Sequence, residues 1–377
     1  MSRKRISGAI IILLSTVLSF PQELSQTAER DIKINEVLES IRQKHHVPAL
    51  AGAIVTGKGL VMRGVVGVRK AGTEILATVE DKWHLGSNTK AMTTTLIGLL
   101  VEQGKLKWDT TIEQVFPEIA PELQPELRGV TLLHLLSHRA GLPANIVWMA
   151  VSKPDLSMSQ QRLECVKILA KTKPLSMPGT TFLYSNLGYV IAGAMAEKTM
   201  SSNWEDLMTE LIFKPLGMKS AGFGGLGTPG EIDQPWGHEA DGKPVSRNGP
   251  AVDNPPVLGP AGTVHCSLSD WAKFISDHLR GTRGERAFLK PETYKMLNTP
   301  PFGGEYALGW MTVEREWGGG TVLTHAGSNT MNYAVVWAAP KHDFAVLVTT
   351  NQGGPAAAKA CDEAAAALIW LQTSGKG

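Results

Sequence analysis

Cysteine is scarce in this chain of 377 residues, which contains only Cys165, Cys266 and Cys361. So few cysteines exclude a disulfide scaffold, and their wide spacing does not match that of a zinc site. Charge of either sign is also not in excess, because 37 lysines and arginines against 35 aspartates and glutamates leave a net charge of +2. That balance gives no reason to expect a nucleic-acid partner. Internal apolar runs are shorter than the roughly 18 residues of a membrane span, which excludes a multi-span membrane protein.

The first 20 residues carry a targeting pattern. Arg3, Lys4 and Arg5 precede an apolar run that extends from Ile6 to Phe20. A basic start followed by an apolar run of this length is typical of a secretory signal. We therefore expect residues 1–20 to be a signal peptide and the protein to be periplasmic or secreted, with an uncleaved N-terminal anchor as the alternative.

The remaining sequence has strand-like ends and a helix-rich middle. Hydrophobic residues make up 43% of the chain, enough for a large core. The order of the elements predicts an α/β (α+β) fold, in which an antiparallel sheet flanked by helices is built from both chain ends. We assign residues 31–110 and 265–373 to this domain, and 111–264 to an inserted all-helical domain with Gly- and Pro-rich loops. Strands are predicted at 51–55, 60–68, 307–314, 321–325, 333–338 and 344–350.

The segment Ser87-Asn88-Thr89-Lys90 stands at the predicted start of a helix. A lysine three residues after a serine shares its helix face, one turn away. The helix N-terminus offers free N–H groups to an oxyanion that forms at an acylated serine. A desolvated Lys90 can hold or accept the proton of Ser87. This pattern alone is weak, since a capping serine and a surface lysine give the same letters.

Tyr184-Ser185-Asn186 comes just before another predicted helix. A tyrosine beside a lysine cation can share the serine proton, so Tyr184 is a candidate partner of Lys90. The amide of Asn186 can hold the substrate or orient Lys90. Without the first segment, a helix cap that follows a buried tyrosine is the better explanation of these residues.

His325-Ala326-Gly327-Ser328 ends a predicted strand of the C-terminal sheet. Gly327 lets a substrate lie close to the strand, and the Ser328 N–H can serve as a second oxyanion donor beside that of Ser87. His325 can donate a hydrogen bond to the substrate, whether charged or neutral. Met331 stands three residues after Ser328, whereas Lys90 stands three residues after Ser87. Because Ser328 has no adjacent activating group, Ser87 is the expected nucleophile.

Taken in order, the three segments resemble the motifs of the serine β-lactamase and penicillin-binding-protein superfamily, which read S-x-x-K, then S-D-N or Y-x-N, then K-T-G or a variant. The Y-x-N form is similar to that of class C β-lactamases, D-alanyl-D-alanine carboxypeptidases and related esterases. Residues 135–142 and 260–270 also resemble that branch, and the likeness covers about residues 35 to 370.

This resemblance implies a serine hydrolase with its site in the cleft between the two domains. Ser87 would attack an amide, lactam or ester carbonyl of a small-molecule or peptide substrate, Lys90 and Tyr184 would move the protons, and water would hydrolyse the acyl-serine. Asn186, His325, Gly327 and Ser328 would bind the substrate or its oxyanion. The family needs neither a metal nor another cofactor.

The third motif departs from the family pattern, because His325 and Ala326 stand where the family has lysine and threonine. In the family that pair binds the carboxylate of β-lactams and D-alanyl peptides. Recognition of a carboxylate here would need a protonated His325, or an arginine that the sequence does not identify. Strong β-lactam turnover is therefore not expected.

Several alternatives stay open at this point. A carboxylesterase of the same fold ranks just below a carboxypeptidase or β-lactamase-like enzyme, and a penicillin-binding sensor that acylates without turnover ranks third. His134 and His138 have the spacing of a zinc pair, but Leu135 replaces the glutamate of a metalloprotease. No G-x-S-x-G elbow surrounds either serine, which disfavours an α/β-hydrolase. The oligomeric state is not predicted.

Overall fold

The computed structural model describes residues 20–246 and 248–374. The signal peptide predicted for residues 1–20 therefore lies outside the described residues, except for Phe20 at the start of the first helix. The strands are β1 Ala49–Thr56, β2 Gly59–Gly67, β3 Lys82–His84, β4 Gly222–Phe223, β5 Val264–Ser267, β6 Met311–Arg315, β7 Gly320–Ser328, β8 Tyr333–Ala339 and β9 Phe344–Thr350. The helices are α1 Phe20–His45, α2 Thr89–Glu102, α3 Ile112–Val115, α4 Pro125–Arg128, α5 Leu132–Leu136, α6 Met158–Ile168, α7 Asn186–Met200, α8 Trp204–Met208, α9 Lys214–Leu216, α10 Gly259–Gly262, α11 Leu268–Thr282, α12 Pro291–Leu297 and α13 Gly354–Ser374.

The main sheet joins the two ends of the chain. Its strand order is β2-β1-β9-β8-β7-β6, and every neighbouring pair is antiparallel. The first half of the chain meets the last at the β1–β9 ladder, which runs from Leu50↔Thr350 to Val55↔Ala345. The predicted fold class, an antiparallel sheet built from both ends and flanked by helices, is confirmed.

Both faces of the sheet are covered, which explains why its central strands are apolar throughout. Side chains alternate between the faces of a strand. Ile54 and Val346 accordingly pack with α1 and α13 on one face, where Ile34 and Leu368 are fully buried. Ala53 and Leu347 point to the other face and join a larger cluster that includes α2 and α11. All seven residues of β9 are buried as a result.

The stretch between the two halves contains helices, long irregular segments and one strand of two residues. β4 lies within residues 111–264 and pairs with β5, which also pairs with β3, so that these three form a second small sheet. The division of the chain into two domains stays a prediction. Among the described helices, none combines the length and apolar character that a bilayer crossing requires.

The strand predicted at 307–314 begins later than expected, at Met311. Gly309 has a φ of +84°, in the region that favours glycine. A Cβ atom at this position would lie 2.8 Å from the main chain of Ala91. The close approach to α2 therefore bends the chain before β6 begins.

Candidate active site

Ser87 lies in a 3₁₀ turn, Gly86–Asn88, between β3 and α2. The backbone of Leu85 donates to Val264 O at 2.9 Å, which ties the turn to the small sheet. Gly86 has a φ of +51°, and a Cβ atom on it would lie 2.3 Å from Ser328 N. Only glycine fits both requirements. The end of β7 thus packs main chain against main chain on the turn that carries Ser87.

The backbone nitrogens of Ser87 and Ser328 both lie at this contact. A Cβ atom on Gly327 would lie 2.4 Å from Ser87 N, so this glycine too has no room for a side chain. The β6–β7 ladder ends at Met311↔Thr324, so within the described sheet the end of β7 extends beyond its outer neighbour. Two backbone donors beside a partly exposed serine are what an oxyanion needs.

Lys90 is fully buried and its ammonium nitrogen contacts three oxygens. Nζ lies 3.0 Å from Ser87 Oγ, 2.8 Å from Asn186 Oδ1 and 2.7 Å from Ala261 O. The first motif, the second motif and the segment at residue 261 are therefore joined at one atom.

Burial lowers the pKa of Lys90 well below its ordinary value of 10.5, because desolvation disfavours the ammonium. The three acceptors offset part of that effect. A neutral amine also satisfies the same contacts, since its two N–H groups can serve Asn186 and Ala261 while its lone pair accepts the Ser87 hydroxyl proton. The site is thus compatible with Lys90 as the base.

Tyr184 is brought to the same place, with its ring centroid 4.9 Å from Lys90 Nζ. Burial raises the pKa of Tyr184 to about 12, and a hydrogen bond with the Ser87 side chain offsets this only in part. The sequence suggested that Lys90 and Tyr184 share the serine proton. The two pKa shifts have opposite directions and give the two residues different roles, because they favour a neutral Tyr184 phenol beside a readily deprotonated Lys90 amine.

Asn186 connects Lys90 to a residue that the sequence did not single out. Its Oδ1 accepts from Lys90, and its Nδ2 donates to Asn145 Oδ1 at 3.0 Å. Asn145 Oδ1 also accepts from Trp148 Nε1 at 3.3 Å. Asn145 is exposed, so its amide faces the open side of the site. It lies in an irregular loop, where no periodicity marks it.

His138 packs against Tyr184, with ring centroids 4.2 Å apart. Its Nδ1 accepts a hydrogen bond from Ser185 N at 3.0 Å, which fixes the chain between Tyr184 and Asn186. Burial lowers the pKa of His138 well below its ordinary value, and the nearby Lys90 lowers it further. His134 instead stacks on Phe302 and accepts from Thr131 N, so the two histidines have separate roles. The resemblance of residues 135–142 was the available signal for His138.

His325 is buried, and both of its ring nitrogens have partners. Nδ1 lies 2.7 Å from Ala326 O, so it carries the proton, and Nε2 accepts from the Tyr306 hydroxyl at 3.0 Å. Burial, together with the nearby Lys90, lowers the pKa of His325 to about 3. This differs from the expectation that His325 donates to the substrate, because neither a positive charge nor a free N–H is available on the ring.

Ser328 contributes its backbone rather than its side chain. Its Oγ donates to Asn332 O at 2.6 Å and accepts from Thr330 N at 2.9 Å. The hydroxyl is therefore engaged in a turn of its own, whereas that of Ser87 faces Lys90.

The chain is similar to known β-lactamase-related proteins over most of its length. A family model described as Beta-lactamase matches residues 34–369. The chain is 26% identical over 344 residues to penicillin-binding protein 4 of Amycolatopsis lactamdurans, covering 84% of each chain. It is 22% identical to Protein flp of Staphylococcus aureus strain MW2, covering 86% of this chain but 64% of that protein. The solved structure of the D-alanine carboxypeptidase AmpC from Burkholderia cenocepacia aligns with a TM-score of 0.68 and 19% identity, over 92% of this chain and 99% of that one.

Proposed function

The chain belongs to the Beta-lactamase family, whose functions are of the serine-hydrolase kind found in β-lactamases and penicillin-binding proteins, and we propose that it is a turnover enzyme that hydrolyses uncharged carboxylic esters. The sequence alone placed a carboxypeptidase or β-lactamase-like enzyme slightly ahead of an esterase. The surroundings of His325 support the opposite order.

The proposed reaction begins when the neutral amine of Lys90 takes the proton of Ser87 Oγ, which attacks the ester carbonyl. The negative charge that forms on the carbonyl oxygen is stabilised by the N–H groups of Ser87 and Ser328. The phenol of Tyr184 then donates its proton to the departing alkoxide and recovers one from the Lys90 ammonium. In the second half of the reaction the neutral amine of Lys90 takes a proton from the water that attacks the acyl-serine and then gives that proton to Ser87 Oγ, which releases the carboxylic acid and restores Ser87.

The choice of an uncharged ester as the substrate rests on the two hydrogen bonds of the His325 ring. A substrate carboxylate needs a cation or a set of donors to replace its water. The His325 ring is neutral and fully bonded. Ala326, which is exposed beside it, has no hydroxyl. Lys90, whose amine contacts Ser87, uses its hydrogens on the protein acceptors Asn186 Oδ1 and Ala261 O. An uncharged acyl donor needs none of these groups.

The approach to the site supports an apolar acyl or alcohol group. Val147 and Met149 are 75% and 73% exposed, and they flank Trp148, which is bonded to Asn145. On the segment that leads to Tyr184, Phe182 is 43% exposed and lies 5.6 Å from the Tyr306 ring. Large apolar side chains left exposed beside a site favour contact with apolar ligands.

A substrate panel tests the proposal. We expect sustained hydrolysis of neutral nitrophenyl esters, and little hydrolysis of a chromogenic cephalosporin or of a D-alanyl-D-alanine peptide. Mass spectrometry of the intact protein would detect the acyl group on Ser87, with Ser87→Ala as the control. Faster release of D-alanine than of nitrophenol would instead indicate a carboxypeptidase. A stable cephalosporin adduct without turnover of any substrate would indicate a sensor.

We also propose that the protein is exported, on the basis of the basic and apolar pattern of residues 1–20. Its proposed partner is a small-molecule or peptide substrate. Fractionation of cells that express the full chain would test the location, and recovery of the protein in the cytoplasmic fraction would contradict it.

A further inference from the structure

A buried polar cluster lies behind the oxyanion donors and plays no part in the proton transfers proposed above. It consists of His84, Asp253 and Asn329, which come from β3, from the Gly- and Pro-rich loop and from the turn after β7. Their side chains are 1%, 6% and 1% exposed. Buried polar groups are costly unless they are hydrogen-bonded, and here the partners can be named.

One end of the cluster holds the Ser87 turn. Gly86 N donates to His84 Nδ1 at 3.1 Å. The ring proton therefore lies on His84 Nε2, which is 3.0 Å from Asp253 Oδ2. Because Gly86 immediately precedes Ser87, this contact fixes the orientation of the peptide that leads into the nucleophile.

The other end holds the turn after Ser328. Asn329 Nδ2 donates to Asp253 Oδ1 at 2.9 Å. Asn329 Oδ1 accepts from Met331 N, Asn332 N and Asn332 Nδ2 at 3.2, 2.9 and 3.1 Å. Asn332 O in turn accepts the Ser328 hydroxyl. Each oxygen of the Asp253 carboxylate thus serves one of the two backbone segments.

We propose that His84, Asp253 and Asn329 form a positioning relay that holds the backbone donors of Ser87 and Ser328 in register for the oxyanion. The inference rests on the proposed acyl transfer at Ser87 and assigns a function to the loop that carries Asp253. Asp253 acts through the other two residues and does not touch the substrate. Oxyanion donors must be placed before the reaction, and a displacement of about 1 Å costs on the order of 10² in rate.

The charge state of Asp253 suits this role. Burial would raise the pKa of the carboxyl, but its interaction with His84 and the hydrogen bond from Asn329 together lower it. The carboxylate accepts from both sides and donates to neither. An asparagine in its place turns an N–H₂ group towards a donor, either at His84 or at Asn329.

The variant Asp253→Asn therefore breaks one end of the relay whichever way its amide is turned. With a nitrophenyl ester we expect kcat to fall about tenfold or more and KM to change less than about twofold, because the oxyanion forms only in the transition state. The Ki of an arylboronic acid, which forms a tetrahedral adduct with the serine, should rise in parallel with the loss of kcat. Where this variant does not fold, Asn329→Ala tests the same link.

The double variant Asp253→Asn with Asn329→Asp exchanges the two side chains and keeps every donor facing an acceptor. We expect it to recover most of the lost kcat. The matched control is Asp277→Asn, because Asp277 is a buried carboxylate that accepts from Tyr294 and Phe288 N, away from Ser87. It should lower the melting temperature but leave kcat and the boronate Ki unchanged.

Three outcomes would each overturn the relay. The first is a wild-type kcat in Asp253→Asn, and the second is an equal effect of Asp253→Asn and Asp277→Asn on kcat. The third is a double variant, Asp253→Asn with Asn329→Asp, that does not recover kcat. Those outcomes leave the proposed function standing, because wild-type turnover and labelling of Ser87 are measured first. Absence of both in the wild-type protein would remove the proposed function, and the relay with it.

Discussion

The hydroxyl of Tyr306 donates a hydrogen bond to Nε2 of His325 at 3.0 Å. The opposite nitrogen, Nδ1, is hydrogen-bonded to Ala326 O. The imidazole is therefore neutral, and both of its nitrogens are occupied by hydrogen bonds, at the place where the family pattern has a lysine. Tyr306 is itself buried, and burial raises the pKa of its phenol well above the ordinary value. The third motif here is therefore a rigid, uncharged wall of the site.

This wall leads to a prediction about substrate charge. Ala326→Thr restores the hydroxyl of the family pattern at an exposed position of β7. We expect it to raise kcat/KM for an anionic cephalosporin relative to a neutral ester, by roughly the factor of ten that one added hydrogen bond to a charged group provides. Ala326→Val has nearly the same shape without the hydroxyl and should leave the ratio unchanged. Equal ratios in the two variants would contradict the carboxylate argument.

Ser87→Ala should abolish both ester hydrolysis and the formation of an acyl adduct while the melting temperature stays close to that of the wild type. The reason is that the Ser87 hydroxyl is the one that faces Lys90. Ser328→Ala provides the control, because Ser87 and Ser328 both stand in the sequence Gly-Ser-Asn-Thr, at 86–89 and 327–330, but the Ser328 hydroxyl bonds to Asn332 O. It should retain an acyl adduct in mass spectra. Ester hydrolysis by Ser87→Ala would show that Ser87 is not the nucleophile.

The pH dependence of kcat/KM should show a single rising limb. Lys90 acts as a base only when neutral, so activity is low below its pKa and rises as pH passes through it. Burial lowers that pKa well below 10.5, while the pKa of Tyr184 is raised to about 12 and that of His325 is lowered to about 3. Tyr184 and His325 therefore change charge only near the two ends of the pH range from about 3 to about 12, and the limb belongs to Lys90.

The variant His325→Asn checks this assignment, with kcat/KM for a neutral ester measured over the same range. The midpoint of the limb should stay within a few tenths of a unit or rise slightly, because the uncharged ring contributes little to it. Loss of the limb would assign it to the histidine instead.

The sequence predicts much of this fold because its strands are strongly patterned. β9 was predicted with its observed bounds, and β1, β2 and β8 to within two residues at either end. The short strands β3, β4 and β5 were missed, since segments of three, two and four residues are too short to show a period. Their pairing joins segments that are far apart in the chain, so no local pattern marks them.

The residues of the site also fall into two groups, those that the sequence predicts and those that it does not. The structure brings together residues of all three motifs that the sequence singled out, because each motif lies at the end of a regular element. Asn145, Tyr306 and Asp253 lie in loops, and their partners are 41, 19 and 169 residues away in the chain. Contacts of this kind depend on the packed fold and leave no local pattern. The neutral state of His325 likewise follows from its burial.

Tyr184→Phe tests the separation of roles between the phenol and the amine. A phenol whose pKa is raised to about 12 is a weak base but can donate a proton to an alkoxide that leaves. We expect the variant to lose on the order of 10² in kcat with an alkyl ester, whose leaving group needs a proton. A nitrophenyl ester should lose much less, because its leaving group departs as an anion. If Tyr184 were instead the base for Ser87, both esters would lose activity equally, since attack by the serine is common to the two reactions. Rates for the two substrates, measured side by side on the wild-type protein and on Tyr184→Phe, therefore decide which proton the tyrosine carries.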